Sequence, residues 1–382
     1  MNGAVGFGVF RVDGDEPRVG FRVGHGILDL AASGLGEVFA AGTLNPFLAL
    51  GRASWEDTVC RIDELVTAGA DLVPLEDAEL RLPFQVADYV DFYSSLEHAT
   101  NLGRLFRPDS DPLLPNWRRL PVGYHGRAGT IVVSGTPVVR PTGQMRAAGE
   151  EAPTFGPSRR LDIELELGFV VGVASRLGEP VPTAAFRDHV FGVVLVNDWS
   201  ARDVQAWEYQ PLGPFLGKSF ATSIAAWVTP LALLEDSFVA PPEQDPAPLD
   251  YLVAAGDSAL DVELEVELCG TVVSRTNARG LYWTMLQQLA HATANGASTR
   301  TGDLFASGTI SGPQHGSEGS LIELTWNGEH PVGLADGTTR TFLEDGDEVV
   351  LRGSAGELEL GEVRGTILPA RPTGYAGNGP AR

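Results

Sequence analysis

A chain of 382 residues with 43% hydrophobic and 20% charged side chains can pack a sizeable core and is expected to hold two domains, one of them small. Its formal charge of −23 opposes nucleic acid and anionic membrane surfaces, and no apolar run of about 18 residues is present to span a bilayer. Met1 to Arg11 lacks the pattern of a secretory signal, and Cys60 and Cys269 have neither metal nor redox spacing, so a cytoplasmic protein with both cysteines buried is expected.

Residues 1–82 read as a small unit. Short strands are expected at Gly6 to Val12, Arg18 to Val23 and Gly26 to Leu30, punctuated by Gly and Asp-Gly. Helices follow at Asn45 to Leu50 and at Ser54 to Ala68, the second capped by Ser54. Leu82-Pro83 marks the boundary. Residues 83–382 form a larger unit rich in short strands: Thr130 to Val133, Leu161 to Val171, Val190 to Val196, Val262 to Leu268, Leu321 to Trp326 and Glu348 to Leu351. Helices are few, at Ser200 to Tyr209 and Leu281 to Ala294. The fold class is therefore mostly β with few helices, α+β rather than alternating βαβ units. Pro241 to Pro248 form an exposed acidic loop.

Leu161-Asp162-Ile163-Glu164-Leu165-Glu166-Leu167 alternates apolar and acidic residues. On a strand, Asp162, Glu164 and Glu166 share one face, and three like charges there need water or a cation. Taken alone, a solvated outer face is the plainer reading. Two other acids end or interrupt apolar runs: Asp198 after Val193-Val194-Leu195-Val196-Asn197, and Asp91 in Val90-Asp91-Phe92-Tyr93. Asp91, Glu164, Glu166 and Asp198 together offer oxygen donors suited to a hard cation such as Mg²⁺ or Ca²⁺.

The helix after Asp198 places Arg202, Gln205 and Tyr209 on one face, with Ser200 as its cap. That stripe can donate to an oxyanion, or it can be an exposed face with Trp199 and Trp207 buried behind it. Lys218 is the only lysine in a chain that otherwise uses arginine, which marks it for a compact ammonium or is chance. His98 falls in the first turn of a capped helix near Asp91 and Tyr93, where it can take a proton from water. A lone histidine is more often a hydrogen-bonded bystander, and the other six, His125 included, are read that way.

These segments resemble the fumarylacetoacetase family. The resemblance is carried by Asp91-Phe92-Tyr93-Ser94-Ser95, His98-Ala99-Thr100-Asn101, Leu120-Pro121-Val122-Gly123-Tyr124-His125-Gly126-Arg127, Asn197-Asp198-Trp199-Ser200-Ala201-Arg202-Asp203, Pro211-Leu212-Gly213-Pro214-Phe215-Leu216-Gly217-Lys218 and Ala306-Ser307-Gly308-Thr309. It implies an SH3-like N-terminal domain at 1–82, a β-roll catalytic domain at 83–382, and a homodimer. It implies Asp91, Glu164, Glu166 and Asp198 as metal ligands, with Asp162 left out. His98 becomes the general base, oriented by Glu323. Arg202, Gln205 and Lys218 stabilise negative charge. Tyr93, Arg107, Tyr124, Gln205, Tyr209 and Thr309 contact substrate. Asp198, Lys218 and Thr222 fall at a second, Mg²⁺-associated position, where a protonated ammonium cannot itself ligate.

The implied reaction is metal-dependent hydrolysis of a carbon–carbon bond in fumarylacetoacetate, the last step of tyrosine and phenylalanine breakdown. The ion is Mg²⁺ or Ca²⁺, with Mn²⁺ a further option. Rival expectations are a related acylpyruvate hydrolase or other β-diketo acid hydrolase, a non-catalytic dicarboxylate-binding protein, and a structural calcium module.

Overall fold

The structure is a computed structural model and describes residues 3–147 and 149–372. It is mostly β, as short runs of β-branched and aromatic residues dictate. Among the described residues the longest helix is Arg52–Thr67, and no helix is long and apolar enough to cross a membrane. A smaller N-terminal part joins a larger C-terminal part.

One sheet of 13 strands runs through both. Ala4–Arg11 pairs with Arg18–Val23 on one side and with Trp227–Pro230 on the other, where Phe7 faces Val228. Phe7 also packs edge-on against Phe21 and Phe191, and Trp55 packs edge-on against Phe191. Each such aromatic pair adds about 0.5–1.5 kcal/mol beyond its buried area, so this seam resists separation. Both parts thus share one core across Leu82-Pro83.

From Trp227–Pro230 the sheet continues through Val190–Asn197, Leu165–Val171, Leu304–Ala306 and Tyr89–Phe92 to Gly123–His125. Val190–Asn197 and Leu165–Val171 are buried at every position, as continuous apolar runs require. A second sheet of five strands packs Thr271–Asn277, Glu263–Leu268, Glu348–Ala355, Leu358–Leu368 and Val138–Val139 in that order.

Several local expectations are corrected. The run from Leu161 is broken into Leu161–Asp162 and Leu165–Val171, with Glu164 between the two strands. All three acids are buried, which removes the solvated-face reading. Leu321 to Trp326 is not a strand but a short helix, Leu321–Leu324, because Asp162 accepts from the amides of Leu321 and Ile322 and caps that turn. Ser54 does not cap its helix, which begins at Arg52 after Gly51, a glycine at φ 87°. Ser200 lies in a two-residue strand, and its hydroxyl bonds the Asp198 carbonyl, leaving the next helix as Arg202–Glu208 without a side-chain cap. Cys60 is exposed on the solvent side of its helix and Cys269 is half-buried, so neither is the buried apolar residue expected.

Candidate metal centre and catalytic site

Sheet register brings the acids together. Leu165 pairs with Asn197, which sets Glu164 beside Asp198, and the Asp198 amide donates to the Glu164 carbonyl at 3.2 Å. Ala306 pairs with Asp91, which in turn faces Tyr124. Carboxylate oxygens of Asp91, Glu164, Glu166 and Asp198 consequently lie within 4.8 Å of one another, all buried. Four acids separated by up to 107 positions have become one cluster.

Such a cluster is unstable without positive charge. Burial, then Asp91, Asp198 and Glu164, push the Glu166 carboxyl well above its usual range. Burial lifts Asp91 to about 6, against the opposing pull of Arg127. Burial also acts on Glu164, but Lys218 and Arg202 outweigh it and hold that carboxyl below its usual range. Lys218 Nζ donates to Glu164 at 2.5 Å and to Asp198 at 2.6 Å. Thr222 Oγ1 donates to the other Asp198 oxygen at 2.7 Å.

Do these residues fit a metal ion? Among the described residues Asp91 Oδ1 and Glu166 Oε1 are buried acceptors without a donor. Counting Asp162, five carboxylates meet three cations, Arg127, Arg202 and Lys218, leaving two formal negative charges. An all-oxygen donor set with that deficit fits a hard divalent cation.

Beside the cluster stands an imidazole–carboxylate pair. Ser95 caps Leu96–Phe106, and its Oγ accepts from the His98 amide at 3.3 Å, fixing His98 in the first turn. His98 Nδ1 meets Glu323 Oε2 at 2.6 Å, both buried. Glu323 also accepts from Asn101, Ser311 and Ser320. These donors and His98 hold its carboxyl below the usual range despite burial. His98 also acts electrostatically on Glu164, so pair and cluster share one site.

Arg202 connects them. Its Nε donates to Asp162 at 2.8 Å, and its Nη1 to Glu164 at 2.7 Å and to Gln205 Oε1 at 3.1 Å. Asp162 itself binds the helix that carries Glu323, so a carboxylate left out of the expected metal ligands ties Arg202 to the histidine's partner. Arg202 Nη2 and Thr309 Oγ1 are buried and unpartnered among the described residues. The exposed-face alternative for Arg202 is thereby excluded, with Trp199 buried as expected and Trp207 half-buried against Arg146.

The expected substrate positions divide. Tyr93 packs edge-on to His98 at 5.3 Å, and Arg107 lies near enough to act on the Tyr93 phenol, which burial pushes upward. Tyr124 lies beside Asp91. Tyr209 is 37% exposed past the helix end, with its hydroxyl bonded to Gln210. His125 points outward to Asp88, as its bystander reading requires. The residue that was overlooked is its neighbour Arg127. At φ 57° it takes the left-handed conformation, at a cost of about 1–2 kcal/mol for a non-glycine. Its Nη2 bridges Asp91 and Asp198 at 2.7 Å each.

Two family models cover most of the chain. Residues 5–83 match the model described as Fumarylacetoacetase N-terminal, and residues 88–368 match Fumarylacetoacetate (FAA) hydrolase C-terminal. The chain belongs to the fumarylacetoacetase family. The Fumarylacetoacetase of Rattus norvegicus is 46% identical over 95% of both chains, and that of Homo sapiens 45% over 95% of both. The Arabidopsis thaliana Fumarylacetoacetase is 43% identical over 96% of this chain and 95% of its own. A solved fumarylacetoacetate hydrolase from psychrophilic Exiguobacterium antarcticum superposes with a TM-score of 0.55 at 17% identity, over 96% of this chain and 99% of that one. At that identity it speaks to the fold alone. Fumarylacetoacetase family membership and the buried acids together indicate a divalent metal.

Proposed function

We propose that this chain is a hydrolase of carbon–carbon bonds that converts fumarylacetoacetate to fumarate and acetoacetate, with Mg²⁺ or Ca²⁺ at the four-carboxylate site. The observation that carries this reading is the His98–Glu323 pair, 2.6 Å apart and adjacent to the acid cluster, in a chain of this family.

Asp91, Glu164, Glu166 and Asp198 would hold the ion, which supplies Lewis-acid polarisation of a substrate carbonyl when bound. His98, kept in one orientation by Glu323, takes a proton from water as the hydroxyl adds to that carbonyl. The carbon–carbon bond then breaks, its electron pair leaves with the acetoacetate fragment, and a proton returned from the imidazolium completes that product. Arg202, Gln205 and Lys218 face the negative charge that develops, and the free Arg202 Nη2 is a ready donor. Arg107, Tyr93, Tyr124 and Thr309 would hold the carboxylate ends, with Tyr209 reaching in from the rim. The Asp198, Lys218 and Thr222 contacts favour Lys218 and Thr222 as supports of Asp198 rather than as ligands of a second ion. On the family's pattern the molecule is a cytoplasmic homodimer, which light scattering checks at the level of mass.

The test is fumarate and acetoacetate release from fumarylacetoacetate, with and without chelator, beside an acylpyruvate control. Chelator-sensitive release of both products is expected. Turnover of acylpyruvate alone would assign the chain to the rival hydrolase, and tight binding without turnover to a binding protein.

A further inference from the structure

Arg127 belongs to no role so far described, yet its placement is expensive and specific. It follows Gly126 in a turn, at φ 57°, where side chains other than glycine are disfavoured. Its side chain is only 5% exposed. The guanidinium lies over the rings of Tyr89 and Tyr124, 4.8 Å from each centroid. From that slot one nitrogen, Nη2, donates to Asp91 Oδ2 and Asp198 Oδ2 at 2.7 Å each. It leaves Asp91 Oδ1 without a donor. A strained backbone residue that persists in a site suggests function, because the fold must over-determine it.

We propose that Arg127 is a positioning residue for the metal centre: it clamps Asp91 and Asp198 at a fixed separation and sets the cluster's charge deficit to match a divalent ion. The inference rests on the four-carboxylate metal reading. Asp91 lies on Tyr89–Phe92 and Asp198 follows Val190–Asn197, strands separated in the sheet by two others. Those two strands are not hydrogen-bonded to each other, and among the described residues Arg127 is the cation that contacts both carboxylates. Both rings pack against that cation, and Tyr124, expected to contact substrate, is thereby tied to the same clamp. Without the Arg127 charge, five carboxylates would face two cations, and the deficit would suit a trivalent ion.

The experiment compares Ca²⁺ and Tb³⁺, two oxygen-seeking ions that differ by one charge, on the metal-stripped full-length chain. Calorimetric titration gives both dissociation constants for the parent, Arg127→Met and Arg127→Lys. In Arg127→Met, Ca²⁺ affinity should fall and the preference for Tb³⁺ over Ca²⁺ should rise about tenfold, or about 1.4 kcal/mol. Arg127→Lys should keep the parent's preference while binding both ions more weakly, because an ammonium restores charge but not the stacked fork. A general loss of packing would weaken both ions equally in the Met variant and leave the ratio alone, and that result overturns the proposal. If the Met variant does not fold, unchanged affinities in the Lys variant overturn it. A parent that binds neither ion defeats the metal reading itself, and this inference with it.

Discussion

At the scale of single residues, the site works by pairing most of its buried charges with opposite ones while leaving a few groups, the Glu166 carboxylate among them, without an ion pair among the described residues. His98 shows the pattern. Its Nδ1 is committed to Glu323, and three further donors commit Glu323 to that geometry. Replacing His98 with Ala removes the group that takes the water proton without touching a carboxylate of the cluster. Turnover should fall by about 10²–10⁴-fold, while metal content by atomic emission stays at the parental level. Parental turnover would remove His98 as the base. Residue-scale reading of the sequence reached Asp91 and Asp198 because each is an acid beside an apolar run, and His98 because it falls in the first turn of a capped helix near Asp91 and Tyr93, with its role as base supplied by the family resemblance. It missed Arg127, since an arginine in a glycine-containing loop gives no sign that its backbone will turn left-handed and carry it inward.

At the scale of elements, pairing register does the assembling. Glu166 and Asp198 meet because Leu165–Val171 and Val190–Asn197 are antiparallel neighbours, and Asp91 joins through the parallel strand Leu304–Ala306. The turn after that strand depends on Gly308. At φ 76° it donates its amide to Glu166, and a Cβ there would stand 2.1 Å from the Phe92 carbonyl oxygen. Gly308→Ala should therefore cost about 1–3 kcal/mol of stability and weaken divalent-ion binding. Thermal melts with and without added ion check this; a parental melting temperature and affinity would refute it. Of the strands around the site, Leu165–Val171 and Val190–Asn197 were legible from their apolar runs, whereas Tyr89–Phe92, Gly123–His125 and Leu304–Ala306 are too short to carry such a pattern; elsewhere Arg18–Val23 was placed to the residue. Leu321 to Trp326 was misread because its short helix is nucleated by Asp162, 159 positions away, and no local pattern carries that information. The capping roles given to Ser54 and Ser200 failed for a related reason. Both serines have cap chemistry, but the chain enters the helix elsewhere.

At the scale of the whole molecule, the buried acids link folding to pH and metal. In the metal-free chain Asp91 has a folded-state pKa raised from 3.8 to about 6, so the native state binds its proton more tightly than the unfolded chain does. Its protonated form stabilises the fold at low pH, and that contribution is lost as pH rises from about 4 to about 6. The shift corresponds to roughly 3 kcal/mol at most. Glu166, raised for the same reason, acts in the same sense. A divalent ion reverses the sign by favouring both carboxylates in their charged forms. The rise in melting temperature on adding Mg²⁺ or Ca²⁺ should therefore be larger at pH 7 than at pH 5. An equal or smaller rise at pH 7 would contradict the coupling. Family and fold class were readable at this scale because long motifs and strand-rich patterning extend over the chain. The shared sheet was not, since the pairing of Ala4–Arg11 with Trp227–Pro230 joins segments more than 200 positions apart.

The most direct test is anomalous diffraction from crystals soaked in Mn²⁺, a scatterer that takes the same oxygen donors. A single strong peak is expected among Asp91, Glu164, Glu166 and Asp198, beside the His98 imidazole. A peak bound elsewhere, or a cluster that stays metal-free at saturating Mn²⁺, would contradict the account.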